Sequence, residues 1–113
     1  MKENANYQQP MRPWPELNGL EKTIEIIDGD LTLFYYEVGL SNPRTMMLIH
    51  GLGDEADTWR HIIRPLGENY HVIALDLPGF GRSDLPVNRI TPAFLLNCLS
   101  EFLELKNIKS LIM

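Results

Sequence analysis

Two short apolar segments constrain the fold of this chain more than any other feature. Residues 45–50 and 71–76 are nearly continuous runs of apolar side chains, as in strands whose two faces are both buried. Residues 57–66, which lie between them, carry apolar side chains at helical spacing, namely Trp59, Ile62, Ile63 and Leu66. This alternation of strand and helix predicts an α/β sheet with helices on its faces.

A β-hairpin is predicted before this unit. Residues 23–27 and 31–38 are rich in β-branched and aromatic side chains, and the Asp-Gly-Asp sequence between them is a tight-turn signal. The predicted fold class is therefore α/β, with a mostly parallel sheet, an N-terminal β-hairpin and flanking helices.

A second helix and a further strand are predicted towards the end of the sequence. Thr91 is a favourable N-cap, and Pro92 suits the first helical position. The helix that follows carries an apolar stripe of Phe94, Leu95, Cys98, Leu99, Phe102 and Leu103. Residues 110–113 begin another apolar strand.

The first residues differ in character from the rest. Pro10, Pro13 and Pro15 lie among Asn and Gln residues, so this segment has little to bury and is restricted in conformation. We expect an extended arm over residues 1–22, followed by one α/β domain over residues 23–113.

Composition excludes several classes of protein. A length of 113 residues fits one domain, and a net charge of −5 without a cluster of Lys and Arg disfavours nucleic acid as a partner. The apolar runs are far shorter than the ~20 residues that span a bilayer, so no membrane partner is expected. Because Cys98 is the only cysteine and no apolar signal-peptide core is recognisable, we expect a cytoplasmic protein without internal disulfides.

Two glycine-rich loops follow the two apolar strands. His-Gly-Leu-Gly-Asp occupies residues 50–54, and Asp-Leu-Pro-Gly-Phe-Gly-Arg-Ser-Asp occupies residues 76–84. In open parallel sheets, ligands bind beyond the carboxyl ends of the strands, and glycine lets the backbone approach them closely. Together, His-Gly-x-Gly and Asp-x-Pro-Gly-x-Gly-x-Ser-Asp resemble the α/β-hydrolase fold family over residues 23–113.

The resemblance implies a role for the first loop. In that family a backbone N–H of this loop forms part of the oxyanion hole, and here the N–H is that of Leu52; such a donor stabilises the tetrahedral oxyanion of acyl transfer. His50 is expected to be structural, since the family's catalytic base comes last in the chain. Asp76 is expected to bond turn N–H groups, and Arg82 to pair with a nearby carboxylate.

The residues expected to shape the two loops share small size or hydrogen-bonding ability. They are His50, Gly51, Gly53, Asp76, Gly79, Gly81 and Ser83. The resemblance implies a small-molecule substrate, and we expect no cofactor and no metal.

The nucleophile elbow Gly-x-Ser-x-Gly does not occur in the sequence. In the family the elbow follows the strand that begins near Ser110, so we expect an N-terminal part of an esterase-like hydrolase, whose Ser nucleophile, acid and base lie beyond Met113. An Asp nucleophile would change the reaction to epoxides or haloalkanes. By itself this chain is expected to be inactive, and to be unstable or to self-associate.

Two alternatives remain open at the level of sequence. Residues 51–56 match the dinucleotide fingerprint Gly-x-Gly-x-x-Ala, and Asp76 follows at the distance of a ribose-binding acid, although Asp54 and Glu55 would repel a pyrophosphate. A non-catalytic module that pairs with another chain through an open sheet edge is the other alternative.

Overall fold

A computed structural model describes residues 14–51, 53–86 and 90–109. Within these ranges one sheet is formed by strands β1 (Glu21–Ile26), β2 (Leu31–Val38), β3 (Thr45–Ile49) and β4 (His71–Leu75), in the order β1-β2-β4-β3. Helices α1 (Ile63–Leu66) and α2 (Pro92–Leu105) accompany the sheet, with short 3-10 helices at Pro15–Leu17 and Ala56–Trp59. The α/β class and the predicted hairpin are confirmed.

The proportion of parallel pairing differs from the prediction. In the described residues only β3 and β4 run parallel, whereas β2 is antiparallel to both β1 and β4. The sheet is therefore mixed. The hairpin accounts for the antiparallel β1–β2 pair, and β2 is also antiparallel to β4. The strand predicted at residues 110–113 lies outside the described residues.

The two faces of the sheet bury two separate clusters, because neighbouring side chains on a strand point to opposite faces. On one face, Leu33 and Tyr35 of β2 pack with Ile73, Cys98 and Phe102, so the predicted apolar stripe of α2 lies against the sheet. On the other face, Phe34 and Tyr36 pack with residues of the 3-10 helices and α1, namely Leu17, Ala56 and Ile63. β4 is central and buried, but β3 lies at the edge and buries only Met47 fully.

The predicted helix over residues 57–66 is interrupted. The chain forms the 3-10 helix Ala56–Trp59, then a turn, and only then α1. Pro65 accounts for the interruption, because proline has no N–H to donate and its ring crowds the carbonyl four residues earlier. Starting α1 at Ile63 places Pro65 in the first turn, where no intrahelical donor is needed.

The described part of the predicted arm packs on the domain rather than extending from it. Leu17 and Leu20 are buried, and Arg64 donates hydrogen bonds to the carbonyls of Glu16 and Asn18 at 2.8 and 2.7 Å. Strand β1 begins at Glu21, before the predicted boundary. Leu17 and Leu20, which follow Pro15, therefore anchor residues 14–20 on the domain, while residues 1–13 lie outside the described part of the chain.

Candidate active site

The site is built where β3 and β4 end side by side. Because these two strands are parallel, the loops that follow them leave the same edge of the sheet. His50 follows β3 and Asp76 follows β4, and both side chains are buried. The two glycine-rich loops therefore meet through buried polar side chains.

His50 connects the two loops through both ring nitrogens. Its Nδ1 lies 2.7 Å from the Gly51 carbonyl oxygen, and its Nε2 lies 3.0 Å from the backbone nitrogen of Leu77. A carbonyl only accepts and a backbone N–H only donates, so the hydrogen bonds assign the proton to Nδ1 of a neutral imidazole. The ring of Phe80 packs against the imidazole edge to face, at 5.5 Å between centroids. With both nitrogens engaged, His50 is held as a structural bridge.

Asp76 accepts N–H groups from the 3-10 helix that follows the first loop and from its own loop. Its Oδ1 accepts from the backbone of Ala56 at 2.6 Å, and its Oδ2 accepts from the backbone of Arg82 at 2.9 Å. Ser83 completes the turn, since its hydroxyl donates to the Asp76 carbonyl at 2.6 Å and accepts from the Phe34 N–H at 2.8 Å. The second loop is thereby attached to β2 as well as to the first loop.

Three of the glycines predicted to shape the loops have backbone angles that favour glycine. Gly53, Gly79 and Gly81 have φ of 77°, 87° and 54°, in the left-handed region. Gly81 also lies directly against the carboxylate of Asp76, where a Cβ atom would overlap the carboxylate oxygens. Gly51 is exposed, with open space around a hypothetical Cβ.

A buried polar cluster lies beside the two loops. Sequence reasoning expected Arg82 to pair with a carboxylate but did not identify Asp57 and Tyr36 as its partners. The Tyr36 hydroxyl lies 2.5 Å from Asp57 Oδ1, and the Arg82 guanidinium donates to the Tyr36 oxygen at 2.9 Å and to Asp57 at 3.2 Å. The guanidinium also lies over the ring of Phe34, at 4.9 Å from its centroid. The sequence feature that could have indicated this cluster was Tyr36 in a predicted strand, because a buried tyrosine hydroxyl usually needs a hydrogen-bond partner.

The charges of the site perturb one another. Burial raises the pKa of Asp76 above its ordinary value, against the lowering effect of the N–H groups of Arg82 and Ala56. Burial and the hydrogen bond to Asp57 raise the pKa of Tyr36, which therefore stays a neutral donor. Burial also raises the pKa of Glu55, helped by the negative charge of Asp57. Burial by itself would lower the pKa of Arg82, but the hydrogen bond to Asp57, together with the electrostatic effects of Tyr36, Asp57 and Asp76, outweighs it and raises that pKa.

The structure contradicts the dinucleotide-binding alternative. Asp76 is 0% exposed and uses both carboxylate oxygens on backbone N–H groups, so it is not available to a ribose. The segment after the first loop is the four-residue 3-10 helix Ala56–Trp59 rather than the N-terminus of a long helix. Leu52, the predicted oxyanion donor, lies outside the described residues.

Among the described residues, there is no group of three or more His, Cys, Asp or Glu side chains that could hold a metal ion. None of the helices in the described ranges combines the length and the apolar character required to cross a bilayer.

The fold and the paired loops define an α/β protein in which two glycine-rich loops meet beyond the ends of β3 and β4. A sequence profile described as alpha/beta hydrolase fold matches residues 44–113. The chain belongs to this family. The resemblance of the two glycine-rich motifs to the family is thereby confirmed.

Two curated relatives illustrate the range of the family. The chain is 36% identical over 76 residues to epoxide hydrolase 4 of Mus musculus, covering 67% of this chain and 21% of that protein. It is 39% identical over 64 residues to (E)-2-((N-methylformamido)methylene)succinate hydrolase of Acinetobacter baylyi, covering 57% of this chain and 23% of that protein. The chain thus spans between a fifth and a quarter of the length of these relatives.

A solved structure agrees with this assignment. The fold superimposes on a membrane phospholipase A, described as a bacterial virulence factor, with a TM-score of 0.73 and 35% sequence identity. The match covers 80% of this chain and 29% of the phospholipase. The similarity therefore covers most of this chain and only part of the larger protein.

Proposed function

We propose that this chain is the N-terminal part of a hydrolase that cleaves esters or related acyl compounds and that the loop after β3 supplies its oxyanion hole. In this proposal the N–H of Leu52 donates to the oxyanion, and a Ser nucleophile, an acid and a base are contributed by residues beyond Met113. The substrate is a small molecule. Family membership supports hydrolysis as the type of reaction.

The bond between His50 and Gly51 is the observation that carries the proposal. The Gly51 carbonyl that receives the imidazole Nδ1–H, at 2.7 Å, belongs to the same planar peptide unit as the Leu52 N–H. A bond that holds one end of a rigid peptide unit restricts the direction of its other end. Donors held in place before the reaction stabilise developing charge without reorganising, which is what an oxyanion hole requires.

Removing the proposed donor tests the function. Leu52→Pro deletes the backbone N–H, whereas Leu52→Ala keeps it and changes only the side chain. In the protein that carries this chain, we expect Leu52→Pro to lower kcat for p-nitrophenyl acetate by roughly 10²–10³-fold, and Leu52→Ala to lower it by less than about threefold. Equal activity of the two variants, with both folded, would exclude the Leu52 N–H from the oxyanion hole.

Epoxide opening is the second candidate, and the relative named epoxide hydrolase 4 favours it. An Asp nucleophile would attack an epoxide carbon, whereas a Ser nucleophile suits acyl groups. Parallel assays with styrene oxide and p-nitrophenyl acetate separate the two. If the protein turns over styrene oxide but not p-nitrophenyl acetate, epoxide opening replaces ester cleavage as the proposed reaction.

We also propose that the protein acts in the cytoplasm. The proposal rests on composition, because Cys98 is the single cysteine of the sequence, and it is buried and free of any disulfide. Fractionation of source cells with an antibody against residues of α2 tests it. Recovery in an exported or membrane fraction would contradict it.

A further inference from the structure

The segment of residues 51–55, which contains most of the first loop, is flanked by two hydrogen bonds to consecutive residues of the second loop. Before the loop, His50 accepts the N–H of Leu77 at 3.0 Å. After the loop, the N–H of Ala56 donates to the carboxylate of Asp76 at 2.6 Å. In the sequence, residues 51–55 are therefore flanked on both sides by residues that are hydrogen-bonded to residues 76 and 77.

Arg82 reinforces the attachment at the far end of the loop. Its backbone N–H donates to the second carboxylate oxygen of Asp76 at 2.9 Å, and its guanidinium contacts Asp57, the neighbour of Ala56, at 3.2 Å. Asp57 is in turn held by the Tyr36 hydroxyl of β2. Consecutive residues 56 and 57 are thus each held by the second loop, one through its main chain and one through its side chain.

We propose that Asp76 and Arg82 act together as positioning residues of the oxyanion hole, by holding the Ala56–Asp57 end of the loop that contains Leu52. This inference rests on the proposed function. The Asp76 side chain would not touch the substrate, since it is fully buried and engaged by backbone groups. The Arg82 guanidinium is engaged by Tyr36 and Asp57. Both would act through the backbone of residues 51–55.

The chemistry of the attachment requires a carboxylate at position 76. The two oxygens of Asp76 each accept a different N–H, one from Ala56 after the first loop and one from Arg82 of the second loop. In Asp76→Asn, one oxygen becomes an NH₂ group that faces a donor, so one of the two bonds is lost. The side chain keeps nearly the same volume, which limits the effect to hydrogen bonding.

The sequence offers a matched control in the same loop. Asp84 also accepts a backbone N–H through its carboxylate, that of Thr32 at 2.9 Å, but this bond joins the second loop to β2 rather than to the first loop. Asp84→Asn therefore makes the same chemical change without touching residues 56 and 57. Arg82→Gln, which keeps the backbone N–H and removes the guanidinium, is the second test variant.

The experiment compares these variants in the protein that carries this chain. Hydrolysis of p-nitrophenyl acetate gives kcat and KM, the far-UV circular dichroism reports folding, and NMR-detected hydrogen exchange follows the Ala56 amide. For Asp76→Asn we expect kcat to fall about tenfold or more with KM within about twofold, and Ala56 exchange to accelerate about tenfold. For Arg82→Gln we expect a smaller fall in kcat, and for Asp84→Asn neither change.

Each outcome decides the matter. Unchanged kcat in Asp76→Asn, or an equal loss in Asp84→Asn, overturns the proposal when the unsubstituted protein is active. If Asp76→Asn does not fold, loss of kcat in folded Arg82→Gln supports the proposal and full activity overturns it. If the unsubstituted protein does not hydrolyse the ester, the proposed function fails, and the proposed oxyanion role fails with it. The exchange rate of Ala56 then reports separately whether Asp76 holds the loop.

Discussion

Lys106, the residue that caps the end of α2, places its ammonium nitrogen 2.8 Å from the carboxylate of Glu37 on β2. The Glu37 side chain has 0% exposure, and His71 Nε2 lies 2.6 Å from it. Lys22 adds a more distant contact at 3.4 Å. His71 begins β4, and Asp76 follows the end of β4. The ion cluster therefore joins α2 to the sheet at the end of β4 that is opposite to the glycine-rich loops.

The Glu37 cluster predicts how stability depends on acid. Burial alone would raise the pKa of Glu37, but hydrogen bonds from Lys106 and His71 outweigh it and hold the pKa below its ordinary value of 4.5. The stabilisation is therefore present above that value and is lost as the pH falls through the lowered pKa. In urea titrations between about pH 5 and about pH 3, the free energy of unfolding should fall more steeply for the unsubstituted protein than for Glu37→Gln.

Glu68→Gln is the control for this prediction, because Glu68 is exposed whereas Glu37 is buried. Its pH dependence should follow that of the unsubstituted protein. Identical slopes for Glu37→Gln and Glu68→Gln would show that the buried cluster does not contribute to acid sensitivity.

The contact between Gly81 and Asp76 predicts a large effect of one methyl group. Gly81→Ala places a Cβ atom on the Asp76 carboxylate and also forces alanine to φ of 54°. Gly19→Ala meets a similar backbone penalty at φ of 85°, but with open space around the new atom. We expect losses of about 3 kcal/mol or more for Gly81→Ala and about 1 kcal/mol for Gly19→Ala in urea unfolding. Equal losses would mean that the backbone angle alone accounts for the effect.

The hydrogen bonds of the Tyr36 hydroxyl predict that removing this hydroxyl destabilises the protein more than removing that of Tyr70. Tyr36→Phe removes the group that bridges Asp57 and Arg82 inside the protein. We expect it to lower the free energy of unfolding by about 2 kcal/mol, as for a buried hydrogen bond to a charged group. Tyr70→Phe is the comparison, since Tyr70 is only half-buried and contacts Arg44 through its ring. Thermal unfolding of both variants measures the difference, and a Tyr36→Phe variant as stable as Tyr70→Phe would refute it.

The open edge of the sheet predicts self-association of the isolated chain. In the described residues β3 pairs only with β4, and the outward-facing Leu96 of α2 is 64% exposed. Unpaired strand edges and exposed apolar side chains favour contacts between copies. Light scattering on the purified chain should give a mass above 13.0 kDa that rises with concentration. A mass of 13.0 kDa at every concentration would contradict this.

Local patterns predicted most of the secondary structure. The hairpin followed from an Asp-Gly-Asp turn between two β-rich segments, and α2 begins where Thr91 caps it, with its hydroxyl oxygen accepting the Phe94 N–H at 3.1 Å. These features depend on neighbouring residues, which the sequence displays directly. The interrupted helix at residues 57–66 shows the limit, because apolar spacing favoured one helix and Pro65 divided it.

The two glycine-rich motifs also identified the family and both loops of the candidate site from sequence alone. Their hydrogen-bond partners could not be identified in the same way. Asp76 and Ala56 are 20 residues apart, and Tyr36 and Arg82 are 46 apart, so each contact depends on how the strands align. Turn chemistry and apolar periodicity are encoded over a few residues, whereas the meeting of Tyr36, Asp57 and Arg82 exists only after β2 and β4 pair. That pairing is a tertiary event, and the physical links between the loops depend on it.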